Sequence, residues 1–572
     1  MSAYSIATRG LAGRKIPQGV LAAINTLLFG ASEPGAWYDP SDMSTLFQDS
    51  AGTVPVTAVE QPVGLILDKS KGLVLGPELV TNGDFSNGTT GWSAYNAVIS
   101  AVNGTLKVDD SSNLGVNSSA VQQLNLVAGR TYLFTFDVVS VSGAWSIGFA
   151  TTGSSAGITF PSAMLSKTTT GPQRFVFTYD GTRNFLFMVV DGSGIVFYDN
   201  ISVKELPGNH ATQATTTKRP VLSRRVNLLT KTEQFSNAVW SKFTNGTGAA
   251  PVVTDAFGTA PDGTQTAARL QLSVGAGTTA VDISYVTQAV ANAAQSLGRI
   301  WVKLNSGANK NFALRVGGTI AHSNLATSEW QEFSISDATG NRLDVSLYGH
   351  TSGGSIDLLV WHPSITLATD AHLPYQRVNT ATDYDADPAK FPAYLSLDGV
   401  DDAMATIGNV DLSSAQQLSA ISGYCVTKDT GTSLLAELTS VSITAGAFSL
   451  FVRQAGGVCG WSIASPQMLP ASAARPLAEN TVNAVYFDRG GASTAAIFKT
   501  LRLNGENITP AYSFSSQTPT FANAPLFLFA RNNGTTHFMG GRFYGLIVRG
   551  AESSPSQIEA TELYMKQKMR LP

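Results

Sequence analysis

The sequence predicts an all-β protein made of several β-sandwiches, with a short helix near each end of the chain. From residue 75 onward, short runs of alternating apolar and polar residues are bounded by Gly, Asn, Asp and Ser, a pattern typical of strands joined by turns. Asn-Gly pairs, which suit tight hairpin turns, recur along the chain. They begin at Asn82, Asn87, Asn103, Asn245, Asn504 and Asn533. At 572 residues the chain is long enough for three or four domains, each with its own core.

The N-terminal helix is predicted from four apolar residues spaced four apart, which place one apolar face on a helix. These residues are Ile16, Val20, Ile24 and Leu28. A cleaved signal peptide is the alternative interpretation, but Pro17 and Asn25 interrupt the apolar core that such a peptide needs. We therefore expect residues 1–34 to be a docking segment.

The strands are clearest in Thr131–Ser140, where every second residue is apolar. Further runs of this kind are Arg174–Tyr179, Asn184–Val190, Ile300–Leu304, Ala447–Arg453, Leu526–Ala530 and Arg542–Val548. The last element, Ser556–Met569, has apolar residues around a polar face and is predicted to be a helix.

Composition excludes several functions. The net charge is −3 without a long run of Lys or Arg, so no nucleic-acid partner is expected. No apolar run reaches the ~18 residues of a membrane span, so no membrane insertion is expected. The two cysteines, Cys425 and Cys459, are predicted to be small buried hydrophobic residues.

An internal repeat organises the middle of the chain. Glu78–Asn87 is echoed by Asn227–Asn237, and a tryptophan follows each segment, Trp92 and Trp240. Because the repeated order spans ~130 to 150 residues, it indicates two copies of one domain instead of a solenoid. Matching tryptophans favour shared core packing over a shared ligand.

The pattern N-G-D-F-S-x-G…W, closed by F-Y-D-N-I-S-V, resembles the jelly-roll carbohydrate-binding modules of glycan-active enzymes and phage proteins. This resemblance covers 75–206 and, more loosely, 223–380. It implies that the two copies are jelly rolls that bind glycans.

The remaining segments resemble a laminin-G/concanavalin-A-like domain common in tailed-phage and prophage virion proteins. The resemblance starts with Trp37–Asp49 and Leu67–Ser70, and its continuation, Gly208–Thr215, arrives only after the first jelly roll. The next element, Tyr394–Asp402, follows the second jelly roll, and Arg542–Arg549 resembles the ending. We infer one discontinuous lectin-like sandwich with a jelly roll inserted into each of two surface loops, which tolerate insertions.

This organisation predicts the following boundaries. They are a docking segment (1–34), the first part of the lectin-like sandwich (35–74), a jelly roll (75–206), a return segment of the sandwich (207–222), the second jelly roll (223–380) and the main part of the sandwich with the C-terminal helix (381–572).

No catalytic residue is predicted. Gly153–Gly157 matches the G-x-S-x-G nucleophile pattern, but the helix that should follow is missing and residues 158–206 contain no histidine. The carboxylate groups considered as glycosidase pairs are Asp109 with Asp110, Asp383 with Asp385, and Asp398 with Asp401 and Asp402. Neighbouring acids on a strand point to opposite faces, so neither Asp109-Asp110 nor Asp401-Asp402 forms a pair by itself. A hydrolase with acids from distant loops stays an alternative.

The binding residues predicted are few. Tyr95 and Trp145 lie beside turn-like segments and are the candidates for stacking on a glycan. The resemblance implies a structural calcium ion near the ends of a jelly roll, with Asp84 and Asp199 as candidate ligands, although a solvated acid fits these positions equally. Gln234 and His362 stand at the matching places of the second copy, which argues against a second ion. No other cofactor is required.

Together these features predict a non-enzymatic virion protein of a tailed bacteriophage, a tail-fibre, tail-tip or baseplate adhesin. Residues 1–34 would dock to other virion proteins, and the jelly rolls would bind a host cell-surface glycan. Weak sites bind usefully in multiple copies, so a homo-oligomer is expected, a trimer by analogy with phage fibres. The alternatives are a capsid or tail decoration protein (a head fibre) and a virion-associated glycan hydrolase.

Overall fold

The computed structural model describes residues 18–292, 294–439, 445–454, 457–463, 468–490, 498–508, 520–531 and 534–572. Strands make up 48% and helices 7%, which confirms the all-β class. The two α-helices of the described residues are α1 (Gln18–Phe29) and α2 (Pro555–Lys568). Both predicted terminal helices are therefore present. No helix in this part of the chain is both long and apolar enough to cross a membrane.

Two large antiparallel sheets and a small strand pair are built from three separate stretches of the chain. Sheet 1 consists, in spatial order, of β12 (Val221–Ser223), β23 (Tyr394–Asp398), β36 (Gly540–Arg549), β26 (Gln417–Lys428), β31 (Asn480–Asp488), β32 (Phe498–Leu503) and β33 (Glu506–Asn507), with β1 (Gly35–Tyr38) also on β36. Sheet 2 consists of β2 (Leu46–Phe47), β3 (Leu65–Ile66), β11 (Ala211–Thr212), β24 (Met404–Thr406), β35 (Leu526–Leu528), β27 (Ser433–Leu438), β28 (Phe448–Gln454), β29 (Val458–Ile463) and β30 (Met468–Ala474). The pair is β25 (Val410–Asp411) with β34 (Asn523–Ala524).

Sheets 1 and 2 enclose one hydrophobic core. Side chains from both sheets, such as Tyr38, Leu395, Leu435 and Leu528, lie in a single buried cluster. We call this unit the lectin-like sandwich. Its strands come from residues 35–66, 211–223 and 394–549.

The chain between β3 and β11 forms sheet 3, which has its own core. The strands are β4 (Ser93–Tyr95), β5 (Val98–Val102), β6 (Thr105–Asp109), β7 (Ser119–Gln123), β8 (Thr131–Ala150), β9 (Gly171–Thr178) and β10 (Phe185–Glu205). β8 and β10 pair along most of their 20 and 21 residues with three register shifts, which mark bulges. These two strands therefore take part in both layers of the first jelly roll.

The chain between β12 and β23 forms two five-stranded sheets around a third core. Sheet 4 is β13 (Ser241–Asn245), β16 (Ile283–Ala289), β21 (Arg342–Tyr348), β18 (Lys310–Val316) and β19 (Thr319–Ala326). Sheet 5 is β14 (Ala249–Gly258), β15 (Ala267–Gly275), β22 (Gly354–Leu367), β17 (Ser296–Ser306) and β20 (Gln331–Asp337). This sandwich is the second jelly roll.

Each jelly roll leaves and re-enters the lectin-like sandwich at adjacent points. At the first, the Gly76 amide donates to the Glu205 carbonyl at 2.9 Å, and the Asp68 amide donates to Nδ1 of His210 at 3.0 Å. At the second, Oε1 of Gln376 accepts from the Val226 amide at 2.7 Å. The geometry is that of two loop insertions, while the exact domain boundaries stay a prediction.

Both helices pack against the outer face of sheet 1. Ile24 and Leu28 of α1 join Ile558 and Met565 of α2 in one buried cluster with sheet residues such as Ile547. The part of the predicted helix face that the structure describes is therefore covered by the chain itself. Residues 1–17 of the predicted docking segment lie outside the described residues.

Candidate functional site

Trp145, predicted to contact a glycan, is instead a core residue. Its side chain is 0% exposed and packs edge-on against Phe136, with ring centres 5.5 Å apart. Its indole nitrogen donates to the Thr169 carbonyl at 2.9 Å. The S-G-A-W segment looked like a turn, but β8 runs through it, and Gly143 (φ 101°) accommodates an irregularity within the strand. The prediction for Trp145 is wrong because a ring enclosed on all sides cannot stack on a sugar.

Tyr95 lies at the end of β4 and is half-buried. Its ring packs edge-on against Phe187 at 5.9 Å. The hydroxyl groups of Tyr95 and Ser155 are hydrogen-bonded at 3.0 Å. The role of Tyr95 in glycan contact stays a prediction, but the ring has one partner in the sheet and another in the 151–157 loop.

Ser155 is also the serine of the G-x-S-x-G pattern. Its backbone φ is +59°, as a sharp turn requires, but its hydroxyl donates to Tyr95 and not to an imidazole. The chain between residues 75 and 206 contains no histidine that could act as a base. The loop therefore lacks the parts of a nucleophilic site.

Asp84 and Asp199, the candidate calcium ligands, stand on segments that meet. The Ile201 amide donates to the Gly83 carbonyl at 2.9 Å, which joins the two segments next to both acids. Oδ1 of Asp84 accepts from Ser86, and Oδ1 of Asp199 accepts from the Asn200 amide at 2.7 Å. Asp84 is exposed and Asp199 is partly exposed, so both carboxylates keep a solvent-facing side.

A different acidic group is more compact. Among the described residues, Asp398, Asp401 and Asp402 are the one set of at least three His, Cys, Asp or Glu side chains whose ligand atoms lie within 4.8 Å of one another. They surround a turn in which Oδ1 of Asp398 accepts from the Val400 amide at 2.8 Å. Burial is the main reason that the pKa of Asp402 is raised, to about 6. The arrangement matches the turn expected from the sequence and not a catalytic pair.

The surface that sequence reasoning missed is the outer face of sheet 5. Leu270, Val302 and Leu358 point into the core of the second jelly roll, so their neighbours along β15, β17 and β22 point outward. The outward residues, which we call the outer face of sheet 5, are Arg269, Gln271, Trp301, Lys303, Asn305, Glu332, Asp357, Leu359 and Trp361.

Asp357 organises the polar half of this face. Arg269 donates to both of its oxygens, from Nε at 2.9 Å and from a terminal nitrogen at 2.7 Å. Asn305 and Ser306 also donate to Oδ2. Partial burial raises the pKa of Asp357, but these hydrogen bonds outweigh it and leave the pKa lowered, so the carboxylate is ionised at neutral pH. Planar polar groups are thereby held rigidly at the surface.

Tryptophans form the apolar half of the face. Trp301 and Trp361 are cross-strand partners with ring centres 6.4 Å apart, and Nε1 of Trp361 donates to Thr266 at 3.0 Å. Trp361 is 7% exposed, whereas Trp301 and Trp330 are half-buried and reach solvent. Nζ of Lys303 lies 5.4 Å from the Trp330 ring centre, at cation–π distance.

A cavity of about 640 Å³ opens at the polar end of the same face. Its polar lining includes Gln271, Ser273, Asn309, Lys310 and Asp357. A concave surface with a few fixed polar groups, on the same face as half-buried aromatic rings, has the general form of a small-ligand site. Alternation along β17 groups Trp301 with Lys303 and Asn305 on one side of the strand. The sequence does not show whether that side faces the core or the solvent.

Comparisons with known proteins give distant similarities. No family model matches the sequence, and no curated protein matches it significantly. Among solved structures, the tandem CBM22 domains of Paenibacillus barcinonensis Xyn10C are 12% identical with a TM-score of 0.19, covering 51% of this chain and 98% of that one. The CBM40 of a Ruminococcus gnavus sialidase, bound to α2,3-sialyllactose, is 16% identical with a TM-score of 0.21, covering 26% and 83%. Domains LG4-5 of mouse laminin α1 are 11% identical with a TM-score of 0.22, covering 49% and 89%. Similarities this weak leave the function to the geometry of the site.

Proposed function

We propose that this chain binds carbohydrate, without catalysis, through the outer face of sheet 5. The observation that carries the proposal is the combination of solvent-reaching Trp301 and Trp330 with the Asp357–Arg269–Asn305 hydrogen-bonding group on one surface. Sugar rings present apolar C–H faces and a rim of hydroxyls. Half-buried indoles suit the first, and fixed carboxylate, amide and guanidinium groups suit the second.

We propose further that the chain is a virion protein of a tailed bacteriophage, an adhesin of the tail fibre, tail tip or baseplate. Support comes from the resemblance of 35–74 and 207–222 to the opening of virion lectin-like domains, which in this chain is interrupted by the first jelly roll. A surface glycan of the host cell would be the ligand, and other virion proteins would hold the N-terminal segment. A homotrimer would multiply weak individual contacts into avid binding.

The test of glycan binding is an array of bacterial surface polysaccharides probed with the intact protein. We expect Trp301→Ala and Trp330→Ala each to reduce binding at least about tenfold, since such anchors carry a large part of binding energy. Phe243→Ala is the control, because Phe243 is an aromatic ring that is even more accessible, 49% exposed, and lies on the outer face of sheet 4. Thermal denaturation verifies that each variant is folded.

Two results would contradict this assignment. Loss of binding in Phe243→Ala with full binding in Trp301→Ala would place the ligand on sheet 4. Release of reducing ends from any polysaccharide by the wild-type protein would replace binding by hydrolysis. Antibody labelling of intact particles separates an adhesin, seen at the tail, from a decoration protein, seen on the head.

A structural calcium ion at Asp84 and Asp199 is proposed on narrower grounds. The two acids stand on hydrogen-bonded segments and each keeps one carboxylate oxygen outside the described hydrogen bonds. Calcium that binds only the folded state would raise the melting temperature of the wild-type protein relative to EDTA-treated protein. Asp84→Asn should abolish that difference, and an equal calcium effect in both proteins would exclude this location.

A further inference from the structure

Two histidines meet on the outer face of sheet 4, on the side of the second jelly roll opposite to sheet 5. His322 lies in the edge strand β19, and His350 lies in the turn that follows β21. Their ring centres are 5.2 Å apart and their planes are inclined by 69°. Tyr348 packs edge-on against both rings, at 4.9 Å from His322 and 5.4 Å from His350. The pair is therefore held in place by a shared aromatic neighbour.

The side-chain nitrogens of this pair are not used elsewhere in the described part of the chain. Nδ1 of His322 is buried and has no hydrogen-bond partner there. The described hydrogen bonds of His350 involve its backbone amide, which donates to the Thr279 carbonyl at 3.2 Å and fixes the turn. A buried imidazole nitrogen without a partner is costly, so it calls for a ligand.

The chemistry of the pair suits a metal ion. Imidazole nitrogens are the protein ligands that Zn²⁺ and Cu²⁺ prefer. Arg315 and Arg342 on the same face are paired with Asp344, at 4.0 and 2.7 Å, which limits their repulsion of a cation.

The ring separation agrees with shared coordination. A metal–nitrogen bond is about 2.05 Å long, and the nitrogen lies about 1.1 Å from the ring centre, so each ring centre lies ~3.2 Å from the metal. Two such ligands at a tetrahedral angle have ring centres ~5.2 Å apart, which is the distance between the His322 and His350 rings. We propose that His322 and His350 form a two-histidine site for a divalent transition-metal ion of the Zn²⁺ and Cu²⁺ class. His350 is exposed, so the remaining coordination positions are open to water.

The test titrates untagged, metal-free full-length protein with Zn²⁺ alone by calorimetry. The wild type should bind one equivalent that is weakened at least tenfold in His322→Gln and in His350→Gln. The control His372→Gln, at an exposed histidine next to the Arg570 carbonyl, should bind as the wild type does. With Cu²⁺, electron paramagnetic resonance should show coupling to imidazole nitrogen in the wild type and lose it in the double variant.

The proposal is overturned if His350→Gln binds Zn²⁺ with wild-type affinity, or if His372→Gln loses binding to the same extent. Unchanged Cu²⁺ spectra in the double variant would also overturn it. His350 is exposed in a turn, so this single variant remains decisive even where His322→Gln does not fold. The glycan array is a separate measurement, so failure of either proposal leaves the other standing.

Discussion

Asp39 is the residue on which the two ends of the chain converge. It is 2% exposed and accepts hydrogen bonds from Lys69 at 3.1 Å, from Lys568 at 2.9 Å and from Tyr564 at 3.0 Å. Burial alone would raise the pKa of Asp39, but the ammonium groups of Lys568 and Lys69 outweigh it and hold the pKa far below its usual range. The network joins the first strand region to the last helix.

Asp39→Asn should lower the free energy of unfolding by about 3 kcal/mol at pH 7, because it leaves the buried ammonium group of Lys568 without its countercharge, while Lys69 keeps Asp42 at 2.7 Å. A carboxyl with a lowered pKa stabilises the fold above its unfolded-state pKa, and this contribution is lost as the pH falls below ~4. The deficit of the variant should therefore shrink in acid. Urea denaturation at pH 7 and at pH ~2 measures both effects.

The control for this measurement is Asp429→Asn. Asp429 is paired with Arg453 at 2.8 Å, but its side chain is 51% exposed. Such a pair contributes about 0.5 kcal/mol. Equal losses in Asp39→Asn and Asp429→Asn would show that burial of the Asp39 network has no energetic consequence.

Asp402 is expected to have the opposite pH dependence. Burial, with the nearby carboxylate of Asp398, raises the pKa of Asp402 to about 6, so the folded protein holds a proton that the unfolded chain has released. Stability from this group is complete below pH ~4 and declines as the pH rises through 6. Asp402→Asn should be about 1 kcal/mol more stable than the wild type at pH 7.5, with no such gain at pH 4. A less stable variant at pH 7.5 would contradict this assignment.

Single residues also show what the sequence could predict. Asn103 and Asn504 adopt positive φ, 52° and 53°, each followed by a glycine of positive φ in a two-residue hairpin loop, as the Asn-Gly signal implies. The packing predicted for Trp92 and Trp240 is confirmed, because each lies against the phenylalanine of its repeat. Trp301 could not be assigned to the solvent-facing side of its strand. Alternation shows that the two faces of a strand differ, but it does not show which face is buried.

The last helix depends on a local signal at its start. Oγ of Ser554 accepts from the Gln557 amide at 3.3 Å, and Oε1 of Gln557 accepts from the Ser554 amide at 2.9 Å, which is a capping box. Ser554→Ala should destabilise the protein by about 1 kcal/mol in thermal or urea denaturation. The control is Ser556→Ala, two residues further along the chain. The described hydrogen bond of the Ser556 side chain is to the Ser554 hydroxyl, at 3.0 Å. A larger loss in the control would exclude capping as the cause.

Element length was the least predictable feature. The sequence indicates a strand over Thr131–Ser140, but β8 continues through Gly143 to Ala150, opposite a bulge of β10 between Asp191 and Ile195. The second copy divides its strands between two separate sheets instead. A bulge and a turn use the same glycine-rich signals, and long-range pairing with β10 decides between them.

At the scale of the whole molecule, the discontinuous sandwich explains which parts can be removed. Gly76 and Glu205 are hydrogen-bonded at the base of the first jelly roll, so a short linker can join residues 74 and 207. Removal exposes a small cluster, in which Phe47, Leu65 and Leu67 contact the jelly roll, and breaks the hydrogen bond from the Val176 amide to the Ala51 carbonyl. The order of the motifs on either side of the insertions allowed this arrangement to be predicted from the sequence. The hydrogen bonds at the bases of the jelly rolls could not be predicted, because they join residues more than 120 positions apart.

Deletion of 75–206 should therefore leave a protein that unfolds cooperatively, at a lower temperature than the wild type. A fragment that begins at residue 391 should not fold, although it contains more consecutive sequence of the sandwich. It lacks β1, which pairs with β36, and β11, which pairs with β24, so both sheets lose strands from their edges or interior. Circular dichroism during heating distinguishes the two. Cooperative unfolding of the fragment, or its absence in the deletion variant, would contradict a sandwich completed by the N-terminal strands.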